Sequence, residues 1–257
     1  MDRTIQRLAA IAVALLWAGS ASAAQTGALA TTVGPGGFAV SAGMGYVERD
    51  VEDGADAEAT NRRLTFRAQI GVLEKLDLYA LLGFADVDID DPGFKGTLGE
   101  NLGIGALYAM LEFADSDTRL MLDLQGEFVR SKDGSDQVRQ QNYHAATYLM
   151  REFGAAGRTG YFYPFGGIRV SYSRYDPSGK GEFISKDFVG VFGGADYFVN
   201  PNVFFSGEVH VFDETSLYLG GGLPILMRAP LGGTAGGGRF SFRHKILWKC
   251  RTNPVLW

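Results

Sequence analysis

Several polar residues stand at spacings that suit chemistry. Asp86, Asp88, Asp90 and Asp91 open like a calcium loop, with carboxylates at alternate positions. An EF-hand needs Gly at its sixth position and Glu at its twelfth. Counted from Asp86, those positions hold Asp91 and Thr97, so the EF-hand fails. Two readings are left: a loose cation site of hard carboxylates, or a solvated loop turned by Pro92 and Gly93. Glu208 and His210 lie two apart, a carboxylate and an imidazole suited to acid–base work. His144 adds an imidazole, and Thr147 and Ser206 add hydroxyls, but no G-x-S-x-G motif accompanies them. GPGG at 34–37 and GGTAGGG at 232–238 are Gly-rich. Neither joins a strand to a helix with a Lys, as a phosphate loop does. His244 and Cys250 supply two metal ligands at most, and two do not make a zinc site. No enzyme and no cofactor is expected from these motifs.

The hydrophobic period names the elements that must position these residues. In LMLDLQGEFV at 120–129, Leu120, Leu122, Leu124 and Phe128 share one face, and Asp123, Gln125 and Glu127 share the other. Residues 63–72 set Leu64, Phe66, Ala68, Ile70 and Val72 against Arg63, Thr65, Arg67 and Gln69. Residues 203–211 set Val203, Phe205, Val209 and Val211 against Ser206, Glu208 and His210. GVLEKLDLYALLGF at 71–84 has good helix formers, yet its neighbours keep period two. It reads as two strands about a turn at Glu74 and Lys75, with Leu76, Leu78, Ala80, Leu82 and Phe84 outward and Asp77 and Tyr79 inward. Continued along the chain, the pattern predicts about ten strands: 37–49, 61–73, 76–86, 102–113, 118–130, 142–153, 161–174, 187–199, 203–212 and 216–226. Each is near the length of a membrane-crossing strand.

Connection length alternates. Short ones fall at 74–75, 114–117, 154–160 and 200–202; long polar ones at 50–60, 86–101, 131–141 and 175–186. Residues 213–215 make a short fifth connection on the long side. Aromatics gather beside both sets: Phe113, Phe153, Phe162, Phe198 and Phe204 at the short turns, and Tyr46, Phe84, Phe128, Tyr143, Tyr172, Phe188 and Phe212 at the long loops. Two such girdles are what two membrane interfaces select.

Bulk properties agree. Of the 257 residues 46% are apolar and 12% aromatic, with 36 Gly, too apolar for disorder and too Gly-rich for a helical bundle. A formal charge of −5 gives no basic footprint for nucleic acid. Arg3 and Arg7 precede an apolar run of 11 residues at 8–18 and then GSASAA, the layout of a signal peptide ending near Ala23 or Ala24. The run is too short for a membrane helix.

With signal peptide, LEKLDLYALLGF and SLYLGGGLPI at 216–225 in hand, the chain resembles the small outer-membrane β-barrel proteins of Gram-negative bacteria, the OmpA-like and opacity-like group. The resemblance covers about 37–226. It implies an all-β, antiparallel up-and-down transmembrane β-barrel, about 10 strands, with 8 or 12 as alternatives. It also implies a C-terminal insertion signal, onto which Tyr218, Gly220, Leu223 and Ile225 map, with aliphatics where aromatics are usual. Its implied partners are outer-membrane lipid and the barrel-assembly machinery. The expected organisation is a signal peptide at 1–24, a short segment at 25–36, the barrel at 37–226 and a basic tail at 227–257, either disordered or an extra strand.

Small barrels fill their interior with side chains. Arg63, Arg67, Asp123, Glu127, Arg169, Glu208 and His210 are therefore expected in the lumen as a charge network that is structural, since each unpaired buried charge is unfavourable. The expected role is non-enzymatic: envelope structure, surface interaction or a narrow channel. The alternatives are a lipid-modifying outer-membrane enzyme built on His210 and Glu208, and a soluble periplasmic ligand binder.

Overall fold

The computed structural model describes residues 30–226, except 54–55, 91–92, 114–115, 155–159 and 178–180. The expected signal peptide, the tail at 227–257, the glycines at 232–238, His244, Cys250 and Asp91 lie outside the described residues. Ten strands make one closed antiparallel barrel: β1 (Gly37–Glu52), β2 (Asp56–Leu73), β3 (Leu76–Ala85), β4 (Gly99–Phe113), β5 (Thr118–Asp133), β6 (Asp136–Arg151), β7 (Tyr161–Pro177), β8 (Val189–Asn200), β9 (Val203–Val211) and β10 (Thr215–Leu226). Each strand pairs with the next, and β10 returns to β1 with Gly37 opposite Leu226. All ten expected strands are present.

The registers fix the barrel's size. Their offsets add to about 12 residues per circuit; with ~3.3 Å per residue and ~4.8 Å between strands, the strands tilt by about 40°. Ten strands at that tilt give a backbone radius of about 10 Å, which inward Arg and Tyr side chains can span.

Alternation then sorts the residues. Leu64, Phe66, Ile70, Leu78, Leu82, Phe84, Leu124, Phe205 and Val209 are exposed on the outside, while Asp77, Tyr79, Asp123, Gln125, Glu127, Glu208 and His210 are buried inside. Two girdle assignments need correction. Phe198 and Phe204 face inward and stack with their rings 5.4 Å apart, because the outward phase at that point belongs to Phe205 and Tyr197.

The long connections also differ from expectation. β1 and β2 continue as a hairpin to Glu52 and Asp56, and β5 and β6 continue to a turn at 134–135, with Gly134 at positive φ. Short strand pieces, Asp88–Ile89, Phe94–Lys95 and Phe183–Ser185, pair with this extension. Their inward residues form an apolar cluster with Val51, Val129, Val138 and Tyr175. The sequence reads as polar loop there because outward residues are charged, although the backbone keeps its ladder. On the opposite, turn side, a second cluster includes Tyr79, Leu107, Met121, Tyr148, Phe165 and Phe192.

Candidate functional site: the charged lumen

Buried polar groups fill the lumen beside these apolar clusters. On the loop side, Arg63 of β2 donates to Glu127 of β5 at 2.6 Å, and through Nε to Asn61 at 3.0 Å. Asn61 donates to Gln140 at 2.9 Å, Gln140 to Asn142 at 2.9 Å, and Asn142 to Glu127 at 3.2 Å, which closes a ring of hydrogen bonds. Ser173 donates to Asn142 at 2.7 Å and accepts from Arg49. Arg49 also pairs with Glu214, and Glu214 accepts from Arg169 at 2.9 Å. Arg169 donates to Asp213 from both Nε, at 2.9 Å, and a terminal nitrogen, at 2.5 Å. Ser171 donates to the same carboxylate at 2.6 Å. The network thus ties β1, β2, β5, β6 and β7 to the 212–214 connection across the lumen.

Asp213 and Glu214 both turn inward, which strict alternation forbids. Phe212 makes the exception with φ of 84° and a side chain 75% exposed. That left-handed conformation strains a non-glycine residue by about 1–2 kcal/mol. Glu214 lies outside the strands. Burial pushes its carboxyl up, but Arg169 and Arg49 outweigh burial and hold it well below the ordinary glutamate range.

The seven expected lumen residues therefore all lie inside, but not as one mutually paired set. Glu208 and His210 pair with each other, and the His210 ring stacks on Phe192 at 5.2 Å. Arg67 lies over the Tyr79 ring, 3.6 Å from its centroid. The Tyr79 hydroxyl donates to Asp123 at 2.6 Å. Arg49, Asp213 and Glu214 were missed. Arg49 was within reach: it lies in the expected strand 37–49, on the inward phase of Ser41, Gly43 and Gly45. Asp213 and Glu214 carried no signal, because nothing in the letters marks the φ of Phe212.

The two hydroxyls named with His210 and Glu208 stand as follows. Thr147 belongs to the outward phase of β6, and Ser206 sits on the far side of Glu208 from His210 on β9. The acidic run is also dispersed. Asp86 accepts from the Arg62 amide at 2.6 Å, and Asp88 from the Gly96 amide at 2.9 Å. Burial raises the Asp86 carboxyl pKa, and the nearby Asp88 adds to that rise. Among the described residues, no three His, Cys, Asp or Glu side chains come together as a metal site. In β10, Tyr218 faces the lumen, and Leu223 and Ile225 face outward.

No family model and no curated protein matches the sequence. Among solved structures, the chain is similar to the beta domain of the Bordetella autotransporter Brka, at 14% identity and a TM-score of 0.35, covering 72% of this chain and 98% of that one. It is also similar to a mutant of the Rh. blastica porin, at 12% identity and a TM-score of 0.15, covering 73% and 100%. Both are outer-membrane β-barrels.

Proposed function

We propose that this chain is a non-enzymatic outer-membrane β-barrel with a filled lumen, serving envelope structure and surface interaction. The observation that carries the reading is its inverted polarity. Leu, Phe, Ile, Val and Met side chains cover the outside of the strands between the rims, while Arg49, Arg63, Arg67, Asp123, Glu127, Arg169, Glu208 and His210 are buried inside. In water that arrangement exposes far more apolar surface than a soluble protein tolerates; in lipid it buries it. The nine residues of β9 rise about 23 Å along the axis, close to the ~25 Å apolar band of outer-membrane barrels. The 18 residues of β2 rise about 45 Å, so the long strands extend beyond lipid as a β-crown for surface contacts.

Two further points support the non-enzymatic, closed version. The His210–Glu208 pair is buried between the apolar layers, out of reach of a lipid substrate. The crown cluster and the Arg49–Arg169–Glu214 network both lie across the lumen. The expected lipid contact follows from the apolar exterior, and delivery by the barrel-assembly machinery follows from the outer-membrane reading. Cell fractionation is the test, with heat-modifiable gel mobility as a check of folding. The protein is expected in the outer-membrane fraction; recovery as a soluble periplasmic protein would overturn the reading. Planar-bilayer recordings should show no steady conductance, and an ohmic channel would favour the narrow-channel role instead.

A further inference from the structure

The GPGG run at 34–37 serves a purpose that its letters did not announce. Gly34 and Gly36 both have positive φ, at 75° and 72°, and turn the chain back into the barrel ahead of β1. Gly71 on β2 lets the turn pass: a Cβ there would collide with the Gly34 carbonyl. The Gly36 amide donates to the Gly71 carbonyl at 2.9 Å. Residues 30–33 then lie across the turn-side mouth, with Ala30, Thr32 and Val33 buried.

Side chains from five strands hold this short stretch, mainly by its backbone. The Ala30 amide donates to Asp196 of β8 at 2.8 Å, and the Val33 amide to Asp77 of β3 at 2.6 Å. The Tyr148 hydroxyl of β6 donates to the Ala30 carbonyl at 2.9 Å, and the Gln69 amide of β2 to the Thr31 carbonyl at 3.2 Å. Arg119 of β5 reaches the Thr31 hydroxyl at 2.9 Å. Asp77 and Asp196 are fully buried, as acceptors of charge-assisted bonds from a main chain would be. The accompanying side-chain space is small: Ala30 packs into the aromatic cluster, and Val33 packs with Ala39 and Phe204.

We infer that the turn-side mouth is a peptide-binding site. It recognises the N–H and C=O groups of a short stretch with small side chains, and the chain's own residues 30–33 occupy it as a plug on a glycine hinge. Asp77 and Asp196 read two N–H groups, and Tyr148 and Gln69 read two carbonyls. The site asks little of sequence beyond size, so another short peptide of small residues can take the same place. This inference does not depend on the compartment in which the barrel stands.

The test uses the full-length chain folded in detergent. Hydrogen exchange should find the Ala30 and Val33 amides protected in the wild type. Their exchange should rise at least tenfold in D77N/D196N, with mid-strand amides of β5 and β6 unchanged. Free exchange of both amides in the wild type overturns the proposal. In Val33→Arg, whose charge the cluster with Ala39 and Phe204 cannot hold, the plug leaves and the mouth opens. A labelled synthetic peptide, N-acetylated ATTVGPG, should bind this variant at least tenfold more tightly than wild type. The same peptide N-methylated at its Ala and Val amides should lose that gain. Equal binding of the two peptides, or equal binding to variant and wild type, overturns main-chain recognition. If Val33→Arg fails to fold, the exchange experiment on wild type and D77N/D196N decides alone.

Discussion

Glu214 shows how one carboxylate stands against burial. Arg169 and Arg49 keep its folded-state pKa well below the ordinary value of 4.5. A depressed carboxylate contributes stability that is fully present above its unfolded-state value and is lost as pH falls through the lower folded-state value. The barrel's urea midpoint in vesicles should therefore hold near neutrality and fall below about pH 4.5. Glu214→Gln should lower the midpoint at pH 7 and flatten its fall in acid. A wild-type midpoint flat from pH 7 to pH 3 would remove Glu214 from this role. The Arg63–Glu127 pair supplies a second prediction. Removing one partner leaves the other charge buried, so Arg63→Met should destabilise by about 3–5 kcal/mol. Replacing both, as R63M/E127L, should recover most of that loss, because two apolar groups need no partner. A double-mutant cycle by urea unfolding measures the difference.

Among elements, the 212–214 connection is the one that departs from rule. Phe212→Gly relieves its positive φ and should stabilise the fold by roughly 1 kcal/mol, read as a raised urea midpoint. The same connection shows how far the letters could be read. Period two in LMLDLQGEFV and LDLYALLGF was enough to place Asp123, Glu127, Asp77 and Tyr79 inside, because a strand with one buried face has no other register. Loop polarity misled at 50–60 and 131–141: outward residues of a hairpin beyond the apolar band are as charged as those of a loop. The pairing of Arg169 was illegible, because its partners Asp213 and Glu214 follow a φ reversal rather than a pattern. Residues 30–36 were illegible for a related reason: they are held by main-chain groups, which every sequence shares.

At the scale of the molecule, the barrel inverts a soluble protein, with its charge inside and its greasy residues outside. Closure depends on a single seam. β1 finds β10 with 166 to 188 residues between the paired positions, the longest-range pairing among the described strands and slow to form for that reason. Until that seam forms, β1 and β10 each present a row of unpaired N–H and C=O groups, an open edge that closure removes. Folding is then a late, all-or-none event set by the last strand made. A chain ending before Thr215 should not yield a slightly weaker nine-stranded barrel. It should lose the heat-modifiable folded band altogether, and gel mobility after refolding checks this. For a protein built this way, the final dozen barrel residues act as a kinetic gatekeeper: every earlier strand waits, unfinished, for them to arrive.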